Sequence, residues 1–139
     1  MKQLRLWAAA ACIALTTATA GAQTTPVVET FHVSNVRLGN SQFLKNQQAD
    51  IHYLLALDPD RLLAPYLKGA GLTPKADNYT NWENTGLDGH VGGHYLSALA
   101  YMYAATGNEE ILRRMDYYLG ELRRCQDASP DGYLGGVPD

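Results

Sequence analysis

The sequence predicts an all-α fold built from helical hairpins, and three observations support this. Apolar residues recur at helical spacing over residues 41–57 and again over residues 109–126. The stretch from residue 90 to residue 106 is apolar on most sides. Gly107 and Asn108 stand between the last two segments, as a helix stop followed by a helix start. A link this short makes its two helices antiparallel neighbours.

The first 22 residues have the pattern of a signal peptide. Lys2 and Arg5 precede an apolar run over residues 6–15, and residues 20–22 read Ala-Gly-Ala, a typical cleavage site. The run is shorter than the ~20 apolar residues that a membrane-spanning helix needs. We therefore expect cleavage near Gln23, export to the periplasm or the cell exterior, and no membrane association afterwards.

Charge and cysteine content limit the function of the remaining chain. Nine basic residues stand against 14 acidic ones, a formal charge of −5. This balance argues against nucleic acid or an anionic membrane as a partner. Cys125 is the one remaining cysteine, so the sequence predicts neither an internal disulfide nor a cysteine-rich metal site within this chain.

The first half of the mature chain contains an arm and two helices. Residues 23–40 are rich in strand formers with imperfect alternation, which predicts an extended arm or a short strand. Ser41 is a suitable N-cap for a helix that ends near Leu57. Asp58 and the proline after it begin a shorter helix, which we expect to be disturbed at Pro65 and to end at the glycines of residues 69–71.

The second half contains two longer helices. One begins near Leu87 or His90 and ends at Thr106, and the other runs from the cap Asn108 to about Gln126. Two i,i+4 ion pairs are expected in the first turns of the last helix, Glu109 with Arg113 and Glu110 with Arg114.

The candidate site is the glycine-rich approach to the third helix, where His90 and His94 lie four residues apart. This spacing places both imidazoles on one helix face, near a helix N-terminus that favours polar ligands. Three interpretations remain open: contact with a sugar, hydrogen bonds that tie the loop together, or metal binding with Glu83 or Asp88 as a third ligand. The pattern lacks the glutamate directly after the first histidine that a zinc hydrolase helix carries.

Three further loop residues are candidates for sugar binding. Trp82 is either a stacking platform for a sugar ring or a core aromatic. Glu83 is placed to accept a hydrogen bond from a sugar hydroxyl. Asp88 is either a sugar ligand or a helix cap. Asp131 and Tyr133, in the turn-rich tail, are weaker candidates for the same end of the fold.

These segments together resemble a known family. The run W-E-N-T-G-L-D-G-H-V-G-G-H-Y-L-S-A-L-A-Y-M-Y-A-A-T-G over residues 82–107 is similar to the N-terminal part of the β-L-arabinofuranosidase group, glycoside hydrolase families 127 and 146. The segments D-P-D-R-L-L, A-G-L, R-R-C-Q-D and D-G-Y-L fit in the same order, so the resemblance covers roughly Val36 to Leu134.

The resemblance implies an (α/α)6 barrel and a retaining hydrolysis of terminal arabinofuranosyl linkages. It also implies a cysteine thiolate nucleophile held on zinc and a glutamate acid/base, all from later in a longer polypeptide. None of these groups matches a position here, and Cys125 corresponds to a helix-end residue instead. The resemblance therefore implies no catalytic residue and no metal ligand within this chain.

We accordingly expect residues 1–22 to be a signal peptide, 23–40 an arm and 41–139 the first, incomplete part of an α/α-barrel catalytic domain. The whole protein would be an exported β-L-arabinofuranosidase acting on plant-wall or glycoprotein glycans. This segment would be inactive without the remainder of its polypeptide. Two alternatives remain: another α/α-barrel glycosidase or lyase, and a non-catalytic carbohydrate-binding helical module.

Overall fold

The computed structural model describes residues 28–137, and this part of the chain is all-helical. It contains no strand between these residues, which confirms the predicted all-α class. The signal-peptide prediction and residues 23–27 lie outside the described residues. None of the described helices is long and apolar enough to cross a membrane. The four α-helices are α1 (Gln42–Ala56), α2 (Pro59–Gly69), α3 (His90–Thr106) and α4 (Glu109–Ala128), with short 3-10 helices at Val33–Asn35 and Asn81–Asn84.

Side-chain caps begin three of the helices at the predicted residues. Ser41 accepts a hydrogen bond from the backbone N–H of Leu44 at the start of α1. Asp58 accepts from the N–H of Asp60 at 2.9 Å, and Pro59 fills the first helical position of α2. Asn108 accepts from two N–H groups at the start of α4. Each cap satisfies donors that the helix itself leaves without a partner.

The expected disturbance at Pro65 does not interrupt α2, which continues to Gly69. A proline inside a helix removes one backbone hydrogen bond and costs about 3 kcal/mol. Burial explains why the helix persists, because Leu62, Leu63 and Leu67 are almost completely buried on either side of the proline. Their packing offsets the lost bond.

The core lies where α2, α3 and α4 meet, with α1 packed against α3 and α4. A left-handed Gly107 (φ 66°) closes α3 by donating its N–H to the carbonyl of Tyr103 at 2.7 Å. This turn returns the chain as α4, as the sequence predicts. The buried members of the core cluster are Leu54, Leu62, Leu63, Leu67, Tyr95, Leu99, Ile111, Tyr118, Leu122 and Cys125.

Arg114 does not pair with Glu110 as the helical spacing predicted. Its guanidinium instead donates to the carbonyls of Leu57 at 2.6 Å and Leu55 at 3.2 Å, and to the Tyr95 hydroxyl at 3.1 Å. A cation at a helix C-terminus satisfies free carbonyls and complements the helix dipole, which is more favourable than a solvated surface pair. The pair Glu109–Arg113 is also not formed among the described residues.

The part of the arm from Phe31 to Asn40 forms no strand but a short 3-10 helix at Val33–Asn35, which contacts α3. His32 caps it, since its Nδ1 accepts from the N–H of Ser34 at 3.3 Å. Arg37 donates to the carbonyl of Ala105 at 3.3 Å, near the end of α3. Of the two forms that the sequence predicts, an arm or a short strand, this section is therefore an arm.

Candidate functional site

The loop before α3 is fixed to α2 by two cationic side chains. The Arg61 guanidinium donates to the carbonyls of Asp77 and Asn78, at 3.2 and 3.3 Å, and lies 4.0 Å from the centre of the Tyr79 ring. Lys68 donates to the side-chain oxygen of Asn78 at 2.7 Å. The loop has no regular period in sequence, but these contacts give it one defined path.

Glu83 lies inside this loop and is only 2 % exposed. One carboxylate oxygen accepts the N–H of Gly89 at 3.0 Å, and the other accepts the N–H of Val91 at 2.7 Å. The backbone carbonyl of Glu83 accepts from Asn78 at 2.7 Å. Glu83 was predicted to bind sugar, and the structure places it as a buried cap of the first turn of α3. Direct contact with a sugar remains a prediction that this position does not favour.

Asp88 organises the turn rather than the helix end. Its carboxylate accepts from the N–H of Gly86 at 3.0 Å and from the side-chain amide of Asn78 at 3.2 Å. The N-cap position of α3 belongs to Gly89, in the left-handed region at φ 84°, and it has no side chain to cap with. Of the two interpretations of Asp88, helix cap or sugar ligand, the structure therefore supports neither directly.

Trp82, His90 and His94 form a continuous aromatic row. The His90 and His94 ring centres are 4.7 Å apart, and the Trp82 and His90 ring centres are 5.9 Å apart, both pairs edge to face. Both histidines are exposed, and Trp82 is 60 % exposed. The i,i+4 spacing correctly predicted a shared face for the two imidazoles. The exposed row presents ring edges, ring faces and imidazole nitrogens to a ligand.

Gly92 allows this end of α3 to approach α2 and α4 closely. A Cβ atom at Gly92 would lie 2.5 Å from the hydroxyl of Tyr118 and 2.8 Å from the ring of Tyr66. The Tyr66 hydroxyl donates to the carbonyl of Gly89 at 2.5 Å. Burial raises the pKa of both tyrosines, and for Tyr66 the charge of Glu83 raises it further. Both phenols therefore remain neutral donors at any physiological pH.

An open cleft of about 590 Å³ adjoins one end of the aromatic row. Trp82 lines the cleft, whereas His90 and His94 do not. Trp82 therefore lies between the cleft and the histidine pair. The other lining residues are mostly aromatic or aliphatic: Tyr53, Leu57, Leu62, Tyr79, Thr80, Asn81, Glu83 and Val91.

Cys125 is completely buried in α4, and burial raises the pKa of its thiol. This confirms its interpretation as a small core residue, because a reactive cysteine needs an exposed, stabilised thiolate. Within residues 28–137, no three or more His, Cys, Asp or Glu side chains are grouped to hold a metal ion. The described residues thus supply no set of three ligands for the zinc centre, which the resemblance implies to come from later polypeptide.

The tail returns to the start of α3. Gly136 lies so close to Asp88 that a Cβ atom there would be 2.5 Å from the Asp88 carbonyl oxygen. Asp131 accepts from the N–H of Tyr133 at 2.9 Å, which closes a local turn. The tail thus reaches the same end of the fold as the histidines through its glycines. Among the described residues, no hydrogen bond or ring contact joins Asp131 or Tyr133 to the aromatic row.

Sequence reasoning missed two residues that build the site, Tyr66 and Asn78. Tyr66 lies in the apolar pattern of α2, where packing is the first explanation of an aromatic. Asn78 lies in a loop with no period. Neither carries a local signal, because Tyr66 binds Gly89, 23 positions away, and Asn78 binds Glu83 and Asp88, five and ten positions away.

An all-α chain with an exposed Trp–His–His row on a buried polar support suits a carbohydrate-active protein. Comparison with protein families gives the specific relation: residues 35–139 match the family model of the β-L-arabinofuranosidase GH127 catalytic domain. The chain therefore belongs to this glycoside hydrolase family, as the sequence resemblance implied. A search among curated proteins found no match.

Proposed function

We propose that Trp82, His90 and His94 form a wall of the sugar-binding cavity of an exported, retaining β-L-arabinofuranosidase. The observation that carries the proposal is the exposed aromatic row at the first turn of α3, in a chain of this hydrolase family. The substrate class follows from the family, and the arabinofuranosyl group itself is part of the proposal.

The chemistry of the row suits a furanose. An imidazole in its neutral form offers one N–H donor and one acceptor nitrogen, and a sugar hydroxyl can both donate and accept a hydrogen bond. The indole of Trp82 offers a broad apolar face and an N–H donor, so the apolar side of a sugar ring can pack on it. Because the centres of the two imidazole rings are 4.7 Å apart, the rings can bind two adjacent hydroxyl groups of one sugar.

The nucleophile and the acid/base belong, in this proposal, to polypeptide other than the described residues. Cys125 is buried as a neutral thiol, and both oxygens of Glu83 accept backbone N–H groups. The zinc-held thiolate and the catalytic glutamate would complete the cavity from elsewhere in the protein. This segment alone would accordingly bind sugar weakly and hydrolyse nothing.

Activity of the complete protein tests the proposal. We expect release of the aryl group from an aryl β-L-arabinofuranoside, and not from the α-L-arabinofuranoside, the β-D-xyloside or the β-D-galactoside. We expect His90→Ala or His94→Ala to lower kcat/KM at least about tenfold, which corresponds to a loss of about 1.4 kcal/mol of binding.

His52→Ala is the matched control, since His52 is exposed on α1 outside the row, and it should leave kcat/KM unchanged. Hydrolysis of another glycoside without any release from the β-L-arabinofuranoside would favour a different barrel glycosidase. Absence of both release and sugar binding would reject the proposed function.

Export is tested on the same protein. We expect the secreted form to begin near Gln23, as found by N-terminal sequencing. Retention of residues 1–22 in the exported protein would contradict the signal-peptide assignment.

A further inference from the structure

We infer that Glu83 is a positioning residue for His90 and His94, and this role rests on the proposed sugar-binding function of that pair. Its buried carboxylate holds the first turn of α3 in the one geometry that places both rings side by side. Tyr66 assists it by donating a hydrogen bond to the carbonyl of Gly89 in the same turn. Neither side chain needs to contact the sugar.

The carboxylate holds the backbone on both sides of His90. One oxygen accepts the N–H of the residue before His90 and the other accepts the N–H of the residue after it, at 3.0 and 2.7 Å. Two peptide groups bound to one planar carboxylate have little rotational freedom. The direction in which the His90 side chain leaves the backbone is therefore fixed by Glu83.

Tyr66 fixes the remaining polar group of Gly89. The Tyr66 hydroxyl donates to the Gly89 carbonyl at 2.5 Å, while the Gly89 N–H is bound by Glu83. Gly89 is thus held through both its donor and its acceptor, at a left-handed φ of 84°. The two contacts come from different elements, the loop and α2, so they fix the turn relative to the core.

The turn needs this external support because it is rich in glycine. Gly92 and Gly93 are the third and fourth residues of α3, whose N-cap is Gly89. Each glycine costs a helix about 1 kcal/mol relative to alanine, so this turn would fray on its own. Fraying would separate the two histidines, because their shared face exists only while the turn is helical.

Histidine NMR of the full chain provides a direct test. The chain contains four histidines, and His32 and His52 are exposed outside the site, so they serve as internal references. Glu83→Gln keeps the shape of the side chain but presents an amide donor to one of the two N–H groups. Tyr66→Phe removes only the hydroxyl. The measurement is the ring Cε1–Hε1 shift and linewidth of all four histidines, assigned by single His→Gln variants.

Asn108→Ala is the matched control. Asn108 also accepts two backbone N–H groups at a helix start, but at α4, beyond the opposite end of α3. It should lower the melting temperature without moving the His90 and His94 signals. A general structural role for Glu83 would give the same result as this control.

We expect Glu83→Gln to shift and broaden the His90 and His94 signals selectively, and Tyr66→Phe to shift them to a smaller degree. L-arabinose binding, measured through the same signals, should weaken about tenfold in Glu83→Gln. A tenfold change in Kd corresponds to about 1.4 kcal/mol of binding free energy. If Glu83→Gln does not fold, the His90 and His94 signals of Tyr66→Phe test the inference by themselves. Unchanged His90 and His94 signals, or equal changes at all four histidines, would overturn the inference.

The two proposals fail separately. In one outcome, Glu83→Gln shifts the His90 and His94 signals selectively, but the wild-type chain gives no response to L-arabinose. That outcome would reject the sugar-binding function while the positioning effect stands. A wild-type response to L-arabinose that Glu83→Gln leaves unchanged would reject the positioning role alone.

Discussion

At Gly92, the lack of a side chain decides how closely α3 approaches its neighbours. Gly92→Ala would place a methyl group 2.5 Å from the Tyr118 hydroxyl and 2.8 Å from the Tyr66 ring. We expect this overpacking to lower the free energy of unfolding by about 1–3 kcal/mol. Gly93→Ala is the control, since the nearest atom to its methyl would be the Tyr66 hydroxyl at 3.9 Å.

Gly93→Ala should be neutral or raise stability by up to about 1 kcal/mol, through helix propensity alone. Urea unfolding of both variants measures the difference. Equal effects of the two substitutions would show that α3 does not pack as described.

Cys125 gives a second prediction for a single residue. Because burial raises the pKa of its thiol, the group is protonated at pH 8 and shielded from reagents. We expect no alkylation by iodoacetamide in the native chain and rapid alkylation in urea, with the modified peptide located by mass spectrometry. Fast native alkylation at Cys125 would contradict its place in the core.

Residue types and their spacing predicted the histidine pair but not what supports it. The i,i+4 spacing is a property of one helix, so His90 and His94 were placed on one face from the sequence alone. The role of Glu83 depends on a loop folding back over the helix start, with Asn78 and Arg61 holding that loop. Contacts between separate segments leave no local pattern to interpret.

At the scale of elements, Arg114 connects α4 to the end of α1. Arg114→Met removes the donors to the Leu55 and Leu57 carbonyls and leaves the Tyr95 hydroxyl without that partner. Hydrogen bonds from a charged group contribute about 1.5–3 kcal/mol, so we expect a loss of that order in the free energy of unfolding.

Arg113→Met is the matched control on the same helix. Arg113 is exposed, and no ion pair involves it among the described residues. Its substitution should change stability by less than about 0.5 kcal/mol. A similar loss in both variants, measured by denaturant unfolding, would show that the bonds to α1 contribute nothing specific.

Helix positions were predictable because their signals are local. Ser41, Asp58 and Asn108 begin their helices as predicted, and Gly107 ends α3. One wrong prediction at this scale is the pairing of Arg114 with Glu110. The free carbonyls at the end of α1 outweighed the local preference for an i,i+4 pair.

At the scale of the whole molecule, apolar side chains remain on the surface between α1 and α3. Phe43 is 73 % exposed and Tyr101 is 76 % exposed, and both line a groove of about 680 Å³. A contiguous apolar surface of this kind favours association. We expect Phe43→Ser with Tyr101→Ser to reduce binding of a hydrophobic dye and to reduce self-association in sedimentation.

Gln48→Ser, an exposed change on α1, is the control and should alter neither property. Unchanged dye binding in the double variant would mean that this groove is not the surface that binds the dye or favours self-association.

Titration of the wild-type chain with L-arabinose, followed through its four histidine ring signals, tests the central claim most directly. The sugar should shift the His90 and His94 signals in a saturable way and leave His32 and His52 unchanged, with D-glucose giving no comparable response. Shifts confined to His32 and His52, or no saturable shift at any histidine, would show that the aromatic row at the start of α3 is not a sugar-binding surface.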